Sequence, residues 1–334
     1  MSLAILASGM TTGVGLSSAA TCAAMRAAIT NFVETKFMLR GEFVMGCLVP
    51  LPRPLRGVAK LAAMLLPAIR ECLAATPAKP EQIPLLIGVA EPDRPGRLDG
   101  IEDELLEAIR TDLGSIHSKS TILAKGKPSA ALLLQQARGL IENEKVPAVV
   151  VAGVDSYLTG ATLDGYFQKR RLLMPDNADG FLPGEGAAAV LVAPPKGGPG
   201  MLIRGIGIGN EKATVDSGEP LRADGMVQAF RAALADGGCT WDDVQYRLTD
   251  LNGEQYYFKE AALAIGRAIR KVKPEFDIWH PADCVGEIGA AAGPCILGWA
   301  LEAARKNYAP GPGVMCHFAS DDGTRAAVIL QYRS

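Results

Sequence analysis

Short apolar runs alternate along this chain with longer segments whose apolar positions recur at helical spacing. "LAILASG" predicts a strand near the start, "SSAATCAAMRAAI" a helix, "GVAKLAAMLLPAIRECLA" an amphipathic helix and "PLLIGVA" a buried strand. "IEDELLEAIRTDL" carries its acidic residues in the first turn, where they complement the helix dipole. "STILAKG" then predicts a strand and "PSAALLLQQARGLIENE" a helix with Pro128 at its first turn. "VPAVVVAGVDS" is apolar enough for a strand buried on both faces. This βαβαβ order predicts a mainly parallel sheet with helices on its faces.

A Pro/Gly break at "APPKGGPGM", residues 193–201, precedes a second series with the same grammar. It runs "LIRGIGIG" (strand), "MVQAFRAALADG" (helix), "VQYRLTDLNG" (strand and turn), "YYFKEAALAIGRAIRKV" (helix), "GEIGAAAGPCILGWALEAARK" (small-residue helix), then the strands "GVMCHFAS" and "RAAVILQYR". There is no literal sequence repeat. The simplest packing stacks two similar α/β halves, residues 1–195 and 196–334, through inner helices that the Ala/Gly run at 289–293 lets approach closely.

Composition narrows the functions. A net charge of -2 gives no global attraction to nucleic acid or an anionic membrane. No apolar run is long enough to span a bilayer, and "MSLAILASGM" lacks the basic flank of a signal peptide, so a cytoplasmic protein is expected. The seven cysteines, Cys22, Cys47, Cys72, Cys239, Cys284, Cys295 and Cys316, are scattered without a C-x-x-C pair, which predicts reduced, mostly buried thiols and no metal site. "GIGIGN" lacks the G-x-G-x-x-G spacing of a dinucleotide site.

Five segments in order carry a resemblance. "ASGMTTGVG" (7–15), "AVVVAGVDS" (148–156), "DGFLPGEGAAAVLV" (179–192, preceded by Arg171 and Asp176), "GEIGAAAG" (286–293) and "FASDDGTRAAVIL" (318–330) resemble the β-ketoacyl synthases of the thiolase-like superfamily. The resemblance implies a five-layered αβαβα fold of two related halves and a dimer interface beside the reactive site, with strand 148–154 central to that interface. It also implies a cysteine at a strand-to-helix corner that takes an acyl group and two histidines that assist decarboxylation. A thiolate there attacks a thioester, while imidazoles and backbone N–H groups hold the oxyanion.

Those side chains are missing. The nucleophile's place falls between Gly126 and Ser129, where Ser129 is the only hydroxyl; the two histidine places fall on Asn252 and Glu287. Asparagine cannot shuttle a proton near neutral pH, and a carboxylate would repel a developing enolate. Asp321, Asp322 and Arg325 enter a loop that is small and apolar in the family. No histidine is assigned as a base: His117 precedes the strand into the corner, His280 is a turn residue before a proline, and His317 faces away from Cys316 on a strand. Glu185, between two glycines, is expected to bond backbone N–H groups. Lys125 and Lys127 are placed either to hold a phosphate of coenzyme A or of an acyl carrier protein's phosphopantetheine, or simply to line a solvated loop.

Two functions follow. One is a catalytically inactive binding, scaffold or accessory subunit, in a synthase complex or beside a bacterial secretion system, forming a homodimer or a heterodimer with an active synthase. The other is an acyltransferase that uses Ser129 or a relocated cysteine.

Overall fold

The strands form one ten-stranded sheet whose two five-strand halves repeat the same order. A computed structural model describes residues 2–334. The first half contributes β1 (Leu3–Thr12), β4 (Leu85–Val89), β5 (Thr121–Ala124), β6 (Val149–Ser156) and β7 (Glu185–Ala193). A hairpin of β2 (Phe32–Leu39) and β3 (Glu42–Cys47) stands apart from it. The second half contributes β8 (Gly200–Asn210), β9 (Tyr246–Thr249), β10 (Ile278–Trp279), β11 (Gly313–Ala319) and β12 (Thr324–Arg333). Across the first half the order is β5-β4-β6-β7-β1, and across the second β10-β9-β11-β12-β8.

In each half the first three strands are parallel, while β7 and β12 run antiparallel to both of their neighbours. Four of the five strands in each half thus point one way, as the mainly parallel expectation has it, and the one reversed strand in each makes the sheet mixed. β12 follows β11 through a short turn, and β7 follows β6 after an excursion that includes a helix at Gly160–Gln168; antiparallel neighbours do not require the long crossover that parallel ones do. The halves meet where Leu3, Ala4 and Ile5 pair with Ile203, Leu202 and Met201.

The helices are α1 (Ser18–Arg26), α2 (Gly57–Ala74), α3 (Ile101–Leu113), α4 (Ser129–Asn143), α5 (Gly160–Gln168), α6 (Asp224–Gly237), α7 (Gln255–Ala268), the single turn α8 (Ala282–Val285) and α9 (Ala292–Arg305). α4 and α9 touch strands of both halves and form the middle layer; α2 and α3 cover the outer face of the first half, and α6 and α7 that of the second. This is the five-layered αβαβα arrangement. One apolar core fills the space around the middle helices, and a further core lies under each outer pair.

Small residues set these separations. A Cβ on Gly153 of β6 would sit 2.0 Å from the Ala290 carbonyl oxygen, so the segment leading into α9 rests directly on the strand. The glycines of "GIGIG" act likewise: Cβ atoms on Gly205, Gly207 and Gly209 would fall 2.0, 2.1 and 2.0 Å from carbonyl oxygens of α6. That pattern is a helix-packing surface, which explains a glycine-rich strand without a nucleotide.

The placement of β6 corrects one expectation. It is hydrogen-bonded to β4 on one side and β7 on the other, so it has no edge to offer a partner. The open edge of the first half is β5. A run apolar enough to be buried on both faces belongs at the sheet centre, and the place at an interface was only what the family resemblance implied for it.

Candidate functional site

The corner between β5 and α4 turns on Gly126, whose φ is +57° and whose missing Cβ leaves room for Glu91 Oε2, 2.4 Å from where that atom would stand. The next residue, Lys127, sends its side chain inward and is 8% exposed. Its ammonium lies 3.2 Å from Glu287 Oε2, 3.7 Å from Asp250 Oδ2 and 4.9 Å from the centre of the Tyr257 ring. Asn252, in the loop after β9, donates from Nδ2 to Glu287 Oε2 at 2.6 Å and to Glu254 Oε2 at 3.1 Å. The other oxygen of Glu287 accepts the Gly289 N–H at 2.8 Å, and Asp250 accepts that of Ala319 at 2.9 Å. The structure thus brings Lys127, Asn252 and Glu287 together at the strand ends.

A second set continues the network. Arg171 donates to both oxygens of Glu254, at 2.6 and 3.0 Å, and pairs with Asp321, which also accepts the Tyr257 hydroxyl. Arg171 and Glu254 are buried. Beside them Arg94 pairs with Asp155 and covers the Tyr157 ring.

Burial opposes the charge on Lys127, but Glu287 and Asp250 outweigh it and hold the ammonium protonated well above the ordinary lysine range. Burial pushes the Asp250 carboxyl up, with Lys127 opposing. Burial would also raise Asp321, yet Arg171 and Tyr257 overcome it and bring it down to about 2. Glu91 has the opposite balance: burial lifts it to about 7, with Arg94 opposing. A lysine nucleophile needs a lowered pKa, so Lys127 is tuned as a structural cation.

The remaining singled-out residues lie elsewhere. Ser129 faces β4, where a Cβ on Gly88 would meet its Cβ at 2.6 Å, and its buried hydroxyl has no partner among the described residues. The side chain that leaves the corner toward Asn252 and Glu287 is that of Lys127, because residues two apart at a helix start point in different directions. Lys127 is also closed to a ligand phosphate by its two carboxylates, while Lys125 remains partly exposed, 3.4 Å from Asp322.

All seven cysteines are free, and burial raises each thiol, Cys22 and Cys47 to about 12, so none is a ready thiolate. His317 packs edge-on against Phe230, and burial together with Arg247 lowers it to about 3; His280 pairs with Asp283, and His117 accepts the Lys119 N–H. Glu185 accepts the Val49 N–H as expected, and also bonds Lys60 and Ser156. Arg325 is fully buried against Glu260, whereas Asp176 is on the surface beside Arg170. Glu91, Asp250, Glu254 and Tyr257 escaped the sequence reading; the available signal was the acidic pair flanking Asn252 in "DLNGE" just after an apolar strand.

Between these side chains only about 10 Å³ stays open, room for no more than a single water. No group of three metal-ligating side chains occurs among the described residues, and no described helix is long and apolar enough to cross a membrane. The cluster sits at the strand ends of two α/β halves of one topology, and that fold is the thiolase-like fold of the β-ketoacyl synthases.

Comparison with solved structures finds the same fold over the whole chain. The ishigamide ketosynthase/chain length factor matches with a TM-score of 0.74 at 18% identity, covering 100% of both chains. One chain of the AntDE:AntF complex, a type II polyketide synthase acyl-carrier protein with its ketosynthase bound to the hexaketide, matches at 0.83 and 12%, covering 100% of this chain and 99% of that one. A β-ketoacyl synthase from Burkholderia phymatum STM815 matches at 0.74 and 14%, with 99% of each chain covered. No protein-family model matches the sequence, and no curated protein does. At these identities the likeness establishes the fold.

Proposed function

We propose that this chain is a non-condensing member of the ketosynthase fold, a pseudoenzyme that serves as a binding or accessory subunit. The observation that carries the reading is the Lys127–Glu287–Asn252 network, tied to Asp250 and closed to about 10 Å³. Condensation needs a thiolate or equivalent nucleophile, a proton carrier and space for an acyl group. Here the corner holds a locked ammonium, the carrier is an amide, and the space is filled. Incubation with acyl-coenzyme A or acylated carrier protein, followed by intact-mass measurement, is expected to show no covalent acyl adduct; a stoichiometric adduct would overturn the reading.

Such a protein acts through its surface, and the neighbours named as chain length factor complexes make a paired arrangement the natural form. The open β5 edge supplies the hydrogen-bonding groups for a sheet continued into a second chain. A homodimer is expected when the protein is isolated, with light scattering giving twice the chain mass of 35.1 kDa. A monomer that doubles only with an active synthase added would replace it by the heterodimer.

A further inference from the structure

An open groove of about 930 Å³ runs between α2 and α3, on the outer layer of the first half. Its floor is apolar and low, made by Leu55, Ala59, Ala62, Ala63, Leu66 and Ala108. Alanines at three- and four-residue spacing give that face of α2 no ridge to fill the gap. One rim is acidic: Asp103, Glu104, Glu107 and Asp112 of α3 line it, with Arg53 as the one cation of the lining. Asp103 and Glu104 make no ion pair among the described residues, Glu107 is held by Arg110 of its own helix, and Asp112 by Arg70 of α2. The helix dipole accounts for carboxylates in the first turn but not for Glu107 and Asp112 beyond it.

The outer layer of the second half carries a complement. Residues 267–273, "RAIRKVK", hold four cations and no carboxylate. α7 ends at Ala268, so Arg270, Lys271 and Lys273 stand in the loop after it. Arg270 and Lys271 are exposed and make no ion pair among the described residues. Beside them projects Val272, 87% exposed, the most exposed of the large hydrophobic side chains described. The loop is pinned on its far side, where Lys273 donates to the Val244 carbonyl and Phe276 packs edge-on against Trp241, ring centres 6.2 Å apart. An aliphatic side chain held out on a fixed loop leaves about 1.5 kcal/mol of burial unused within its own chain.

We propose that this loop of one copy seats in the α2–α3 groove of a second copy, with Val272 on the alanine floor and Arg270 and Lys271 against the acidic rim. The two surfaces lie on opposite outer layers of the five, so the contact is head-to-tail and adds copies in a row instead of closing as a two-fold pair. One loop in one groove buries about 1,000 Å² or less, which makes the contact weak, and its charges make it sensitive to salt. It is separate from the β5 edge and holds whether or not the strand-end cluster can condense.

Sedimentation velocity of the full chain tests it. Between about 20 and about 500 µM at low salt the weight-average mass should rise at least about twofold, as a contact with a Kd of about 0.5 mM or tighter gives, and the rise should vanish in about 0.5 M sodium chloride. Val272→Asp and the E104K/E107K double variant change only exposed positions, so both should melt near the wild-type temperature. Each alone should lose the rise. Mixed in equal amounts they should associate again, because the first keeps its groove and the second its loop. A β5-edge dimer is read at the dilute end, so its absence leaves this readout intact. A mass that stays at its dilute value, a rise that survives salt or either variant, or a mixture that does not associate would overturn the proposal.

Discussion

Lys127→Met is expected to destabilise the fold by about 3–5 kcal/mol at neutral pH, the usual cost of stranding buried charge by deleting one partner. Lys127 serves two carboxylates at once, Glu287 at 3.2 Å and Asp250 at 3.7 Å. Methionine fills much of the stem's volume, so the loss is electrostatic rather than a cavity. The backbone N–H groups of Gly289 and Ala319 remain to hold those carboxylates, which keeps the cost below that of wholly bare ions. Adding Glu287→Gln to the variant removes one stranded charge and should restore about 1–3 kcal/mol, a coupling typical of contacting residues. Urea unfolding of the two single variants and the double checks this. A Lys127→Met protein within about 0.5 kcal/mol of wild type would mean that the ammonium is solvated and the site open.

The fold was legible because its signals are local and repeated. α2 and α3 match the periodic segments residue for residue, and the two series of strands and helices become two halves of one sheet with the same topology. The β2–β3 hairpin was missed: Val33, Met38, Phe43 and Met45 lie on its exposed surface, so its sequence does not alternate as a half-buried strand should. Of the candidate site, the sequence marked Asn252 and Glu287 but not the side chains that surround them. That Asn252 and Glu287 lie near each other is what the family resemblance implies, but which residue of "AKGKPS" faces them depends on the rotation of the chain at Gly126. Arg171 with Asp321 spans 150 positions of sequence, and no periodicity reports a partner at that distance.

Arg171→Leu is expected to be as damaging, again about 3–5 kcal/mol at neutral pH, because it deprives Glu254 and Asp321 of their shared cation in one step. Its pH dependence separates charge loss from packing loss. Asp321 is brought down to about 2 when folded, below the usual carboxylate value near 3.8. A depressed carboxylate contributes stability that is fully present above its unfolded pKa and lost as pH falls through its folded one. For Asp321 that window runs from about pH 4 to about pH 2, and the same cation that opens it is the one removed. In the variant, Asp321 loses the cation that depresses it, takes up its proton at higher pH and ceases to be a stranded charge. The stability gap between the two proteins should therefore be widest near neutrality and narrow as pH falls through that window. Denaturant titrations repeated across the range measure it. A gap that stays constant down to pH 2 would assign the role of Arg171 to its packing over the Tyr166 ring, 5.1 Å away, and remove the electrostatic account of why this site is closed.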